Sequence, residues 1–161
     1  DQTVEPERYR LRYSDGSQNA ETLLADPRTG AMYVVSKGFL GGQVYRLPDR
    51  LSKHDVNVMR PVAGAHAPAL VTDGGFLPDG SGVVLRNYGH AFSYDPGTWQ
   101  LRWSTALPAE RQGESLAVER GGRSILVGTE GLPSPLLRVP LPDSEHAGVL
   151  APVGGIVSAA R

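Results

Sequence analysis

Three acids stand at the head of short apolar runs: Glu21 in "NAETLLADPRTG", Asp73 in "TDGGFLPDG" and Glu114 in "GESLAVERGG". Hard carboxylate oxygens, with no cysteine and no clustered histidine beside them, suit Ca²⁺ or Mg²⁺ better than zinc. Glu21, Asp73 and Glu114 are therefore the candidate metal ligands. Like charges brought close repel, so a cation, a proton or a basic neighbour must offset them. The plainer alternative, which the residue types favour, is that they are solvated or cap turn amides.

The acids begin strands, and the residues that end the neighbouring strands should lie at the same end. Those are Ser36 and Lys37, then Arg86, Asn87 and Tyr88, then Thr129 and Glu130. Lys37, Arg86, Asn87, His90 and Glu130 are the candidate ligand-binding residues. His90 follows Tyr88-Gly89 in a loop at this end; His54, His66 and His146 show no ligand spacing. "GES" at 113–115 lacks the second glycine of a nucleophile elbow, so no catalytic residue is assigned. The loops "GFLGG" (38–42) and "GLPSP" (131–135) open on the same end and suit either a ligand rim or plain turns.

The elements that position these residues repeat. Two and four places after the acids stand Leu23 and Ala25, Gly75 and Leu77, Leu116 and Val118, the alternation of a strand with one buried face. Turns follow ("DPRTG", "PDGSG", "ERGGR"), then apolar strands at 32–36, 82–86 and 124–128, and third strands at 43–48, 90–96 and 135–142. Strands at 9–13, 57–62 and 101–107 lead into each unit. The acids are spaced by 52 and 41 residues. A four-stranded antiparallel unit so repeated predicts an all-β β-propeller, with a plain β-sandwich as the alternative. The expected blades cover about 19–62, 70–107 and 112–142 within a 1–142 domain, and 143–161 reads as a tail or linker. Three blades cannot close a ring, so the expectation is half of a six-bladed one. Strand 9–13 should complete a blade whose other strands lie elsewhere. The partner would be the missing half, from an upstream fragment of the same precursor, or a second copy of this chain.

Composition narrows the classes. The chain has 161 residues and a net charge of −1, so no broad attraction to nucleic acid or anionic membranes exists. Twenty glycines and thirteen prolines suit many short strands and tight turns. No apolar run is long enough to span a bilayer. The chain starts at Asp1, which suggests a removed leader or a piece of something longer.

The segments "YRLRYSDGSQNAETLLADPRTGAMYVVSKG", "LVTDGGFLPDGSGVVLRNY" and "QGESLAVERGGRSILVGTEGLPSPLLRVPLP" together resemble secreted or envelope six-bladed propeller proteins of actinobacteria. More distantly they are similar to phytase esterase-like and gluconolactonase-type propellers. The resemblance covers roughly residues 9–142 and matches the C-terminal half of such proteins. It implies a secreted or envelope location. In gluconolactonase-type propellers acids at inner-strand starts hold a divalent metal, and Glu21, Asp73 and Glu114 occupy comparable places. The supporting Asn and Asp ligands of that family have no counterparts here that can be matched. The expected function is a binding or scaffold module that recognises a partner or small ligand on its channel face. The alternative is a Ca²⁺- or Mg²⁺-dependent hydrolase of lactonase or phosphoesterase type.

Overall fold

The computed structural model describes residues 4–142. The expected tail or linker, 143–161, lies outside the described residues. Twelve strands and no helix are found among the described residues: β1 (Arg10–Tyr13), β2 (Ala20–Ala25), β3 (Met32–Ser36), β4 (Gly42–Arg46), β5 (Val56–Ala67), β6 (Asp73–Phe76), β7 (Val83–Arg86), β8 (His90–Tyr94), β9 (Leu101–Ala106), β10 (Gly113–Val118), β11 (Ser124–Thr129) and β12 (Leu136–Pro140). The period-2 runs and their turns thus locate the strands well. Accordingly no described helix is long and apolar enough to cross a membrane.

The assembly of those strands corrects the propeller expectation. The sheets hold five, four and three strands, in the orders β1-β5-β4-β3-β2, β6-β7-β8-β9 and β10-β11-β12. They are not three four-stranded blades of a half ring. The strand at 9–13 is the first cause. It pairs with β5 of its own chain, in parallel, Arg10 opposite Val56 and Tyr13 opposite Met59. Asn57 fastens it by donating from Nδ2 to the Arg10 carbonyl at 3.1 Å, and Tyr13 packs edge-on to Tyr45 at 4.8 Å. The Tyr45 hydroxyl donates onward to Asp15 at 3.0 Å. These contacts give β1 a pairing partner within its own chain and make the first sheet five-stranded.

The third sheet ends at β12 among the described residues. The Leu141 amide donates to the Arg123 carbonyl at 2.8 Å, which turns position 140 toward the open side. Pro140 there has no N–H, so the free edge offers one donor fewer to a stray strand.

The sheets stack in chain order, and the middle one is buried on both faces. All four residues of β7 are buried. Val83 and Leu85 join Leu24, Val35, Val44, Tyr94 and Trp99 in the core against the first sheet. Val84, between them, points the other way and meets Trp103, Leu116, Ile125 and Val127. Strand β6 has glycines where its neighbours come close. A Cβ on Gly74 would sit 2.6 Å from a Leu85 methyl and 3.3 Å from Thr22, and one on Gly75 would sit 3.2 Å from Val118. A third, smaller cluster of Tyr45, Leu47 and Met59 covers part of the outer face of the first sheet.

This stacking revises which face of β2 is buried. The first and third sheets meet the middle one through opposite faces. Two places after the acid, Leu116 is buried in β10, whereas Leu23 of β2 is 67% exposed. In β2 the buried residues are Thr22 and Leu24. Leu23 and Ala25 do not form a packed layer below Glu21.

Candidate functional site

Glu21 and Glu114 share one local device. In the pairing of β2 with β3 the register shifts between Ala20 and Thr22; in that of β10 with β11 it shifts between Gly113 and Ser115. Each glutamate is the extra residue of a bulge. A bulge re-aims its side chain away from the regular pleat. Asp73 has no such shift and sits opposite Arg86 in register.

The two bulged glutamates are linked through the middle sheet. Lys37 Nζ donates to both oxygens of Glu21, at 3.0 and 2.9 Å, and to the Tyr88 hydroxyl at 2.9 Å. The ammonium also lies 5.0 Å from the centre of the Tyr88 ring. The Tyr88 hydroxyl donates to Glu114 at 3.4 Å. Gln112 Nε2 donates to Glu114 and to Glu130, both at 3.1 Å. One polar chain therefore crosses all three sheets at one end: Glu21, Lys37, Tyr88, Glu114, Gln112, Glu130. Three carboxylates face one ammonium in it, so the rim is acid-rich. Partial burial works against the Lys37 charge, but the hydrogen bonds from Tyr88 and Glu21 outweigh it and raise the ammonium well above its usual range.

Asp73 is half-buried between the second and third sheets. It accepts the Leu116 amide at 2.6 Å and its neighbour Gly74 amide at 2.8 Å. Burial raises its pKa; the two amides and the nearby Arg86 charge pull it down without cancelling the rise. Asp73 thus ties β6 to β10, much as a turn-capping acid would.

Arg86 lies beneath the rim and is fully buried. Its guanidinium donates to Glu110 at 2.7 Å, to the Ser115 carbonyl at 3.0 Å and to the Asn87 carbonyl at 3.1 Å. The Arg86 and Glu110 side chains are 0% and 1% exposed. Gly113 is required beside them, since a Cβ there would sit 1.9 Å from Arg86 Nη2. Asn87 accepts the Gly89 and His90 amides at 3.1 and 2.9 Å and donates to the Ala69 carbonyl at 3.2 Å. It shapes the loop that presents Tyr88. His90 is exposed at the start of β8, 6.1 Å from the Phe92 ring.

Of the residues singled out from sequence, Lys37, Glu21, Glu114 and Glu130 meet in one network, and Arg86 and Asn87 support it from below. Asp73 lies apart from that network, engaged by amides. Among the described residues no three carboxylates or imidazoles are grouped so as to hold a metal ion. Sequence reasoning missed Glu110, Gln112 and Gly113. "PAERQGES" carries no periodic signal, and a glutamate in a polar loop reads as solvated.

The loops around this network carry apolar tips. Phe39 and Leu40, between β3 and β4, are 86% and 103% exposed, and Leu132, between β11 and β12, is 94% exposed. A shallow cleft of about 450 Å³ runs beside Lys37, bounded by Ser36, Leu40, Gln43 and His66.

No family model matches this chain. No curated protein matches it either. Among solved structures it is similar to the uncharacterized protein lmo1340 from Listeria monocytogenes, at 8% identity and a TM-score of 0.49, over 83% of this chain. The chain spans 40% of the length of that structure.

Proposed function

We infer that this chain is a binding or scaffold module whose recognition face is the acid-rich rim. The observation that carries this reading is the six-residue network from Glu21 to Glu130, which fixes three loops of three different sheets at one end. Exposed Phe39, Leu40 and Leu132 stand on two of those loops. Apolar anchors beside a positioned polar network suit a partner surface, because anchors supply affinity and fixed polar groups supply register. The acid excess favours a partner with basic side chains at its contact.

The hydrolase alternative draws less support. Glu21, Asp73 and Glu114 each already hold a protein partner, and among the described residues they are not grouped into one site for Ca²⁺ or Mg²⁺.

The test uses the full chain, tagged and expressed in its source cells. The parent should migrate in a complex larger than its own mass. A Phe39→Ser, Leu40→Ser, Leu132→Ser variant should migrate as the free chain while melting at the parent's temperature. If that variant stays in the large complex, the rim is not the recognition face.

A further inference from the structure

A second site lies at the other side of the middle sheet, between it and the third. A cleft of about 900 Å³ opens there, lined by Leu77, Ser93, Arg102, Trp103, Arg123 and Leu141 among others. Its volume falls in the range of small-molecule sites. Trp103 is part of the second core, with Leu77 and Leu141 packed against the same cluster, so the apolar lining is rigid. Arg102 is pinned: it donates to the Ser81 carbonyl at 2.6 Å and pairs with Asp95. That pairing neutralises its charge. Arg123 makes no ion pair among the described residues, which leaves one uncompensated cation on the lining. Ser93 is 2% exposed, lines the cleft, and its hydroxyl makes no hydrogen bond among the described residues. The hydroxyl is thus available to a ligand in the cleft.

We propose that this cleft binds a small amphiphilic carboxylate, its apolar body on Trp103, Leu77 and Leu141 and its carboxylate between Arg123 and the Ser93 hydroxyl. A neutral apolar molecule would make no use of the Arg123 charge or the Ser93 hydroxyl. A small inorganic anion would leave the apolar walls wet. An arginine and a hydroxyl on the lining of one apolar-floored cleft suit a ligand with both parts. This site is independent of the rim network.

The test is an NMR titration of the full chain with naphthoate, decanoate and naphthamide, the neutral counterpart. Either carboxylate should shift the Trp103 indole and the Arg123 and Ser93 amides, and naphthamide should bind far more weakly. Arg123→Gln should weaken carboxylate binding by about 10- to 100-fold, the worth of one charge-assisted hydrogen bond. Ser93→Ala should weaken it less, with the same residues shifting. Three outcomes would overturn the proposal: neither carboxylate saturates below its solubility limit; naphthamide binds as well as naphthoate; or Arg123→Gln binds like the parent. Shifts confined to the rim around Lys37 and Tyr88 would also overturn it.

Discussion

Adding one methyl group at Gly113 should cost the molecule more than removing most of the rim. The new Cβ would lie 1.9 Å from Arg86 Nη2, 2.6 Å from Glu110 Oε2 and 2.8 Å from Arg86 Cζ. An arginine tip is usually the easiest neighbour to displace. Here it is fully buried and held by a carboxylate and two carbonyls, so it has no free rotamer to move into. Gly113→Ala must therefore pull Arg86 from Glu110. Breaking one buried ion pair costs about 3–5 kcal/mol, because both charges are left without compensation. That is a large share of the roughly 5–15 kcal/mol by which domains are stable. Urea unfolding should show the midpoint falling at constant m-value. Replacing the pair by apolar residues, Arg86→Met with Glu110→Leu, should cost much less and should make Gly113→Ala better tolerated. A Gly113→Ala loss under about 1 kcal/mol would refute the reasoning, because it would mean Arg86 relocates freely.

Other perturbations separate the remaining claims. Tyr88→Phe removes the hydroxyl that joins Lys37 to Glu114, and should cost below about 1 kcal/mol in thermal unfolding, since the network is open to solvent. Asp73→Asn should destabilise by about 1–3 kcal/mol in urea, because an amide has one acceptor oxygen for the two amides that Asp73 satisfies. Gly30→Ala should cost about 1–2 kcal/mol through the backbone alone: Gly30 has φ of 72° and nothing within 4 Å of its Cβ position. Asp95 is held down to about 2, by the Thr98 amide first and then by Arg102. A depressed carboxylate stabilises fully above its ordinary value of 3.8, and that stabilisation is lost as pH falls toward about 2. Melting curves of the parent and Asp95→Asn should accordingly differ near neutrality and converge in acid.

The strands were legible because their signal is local. "MYVVS" and "SILVG" are short apolar runs rich in β-branched residues, and their bounding turns carry Pro, Gly and Asp in positions that turns require. Sheet composition was not legible, because it depends on where an edge strand finds a partner. "YRLRY" reads the same whether it pairs with β5 or with another sheet, and the parallel pairing rests on Asn57 and on the Tyr13–Tyr45 contact, residues distant in sequence. The repeat of Glu21, Asp73 and Glu114 was visible, yet it hid two roles. Bulges carry Glu21 and Glu114 to the rim, while Asp73 stays in register and takes amides instead. One turn shows the same limit. "DPRTG" and "DPGTW" close alike, with the fifth amide donating to the aspartate carbonyl at 2.8 and 2.7 Å. The second puts Trp99, not glycine, at φ of 57°. Packing of Trp99 against Tyr33 and Tyr94 holds it there, a tertiary effect that no local pattern announces.

The most direct measurement is site-specific photo-crosslinking in the source cells. A photoreactive residue is placed in turn at Phe39, at Leu132 and, as a control, at Leu101, which is 56% exposed on β9 of the middle sheet. Recognition by the rim predicts that Phe39 and Leu132 capture the same species, that Lys37→Glu reduces both adducts, and that Leu101 captures none of it. Different species at Phe39 and Leu132, or the same yield at Leu101, would contradict it.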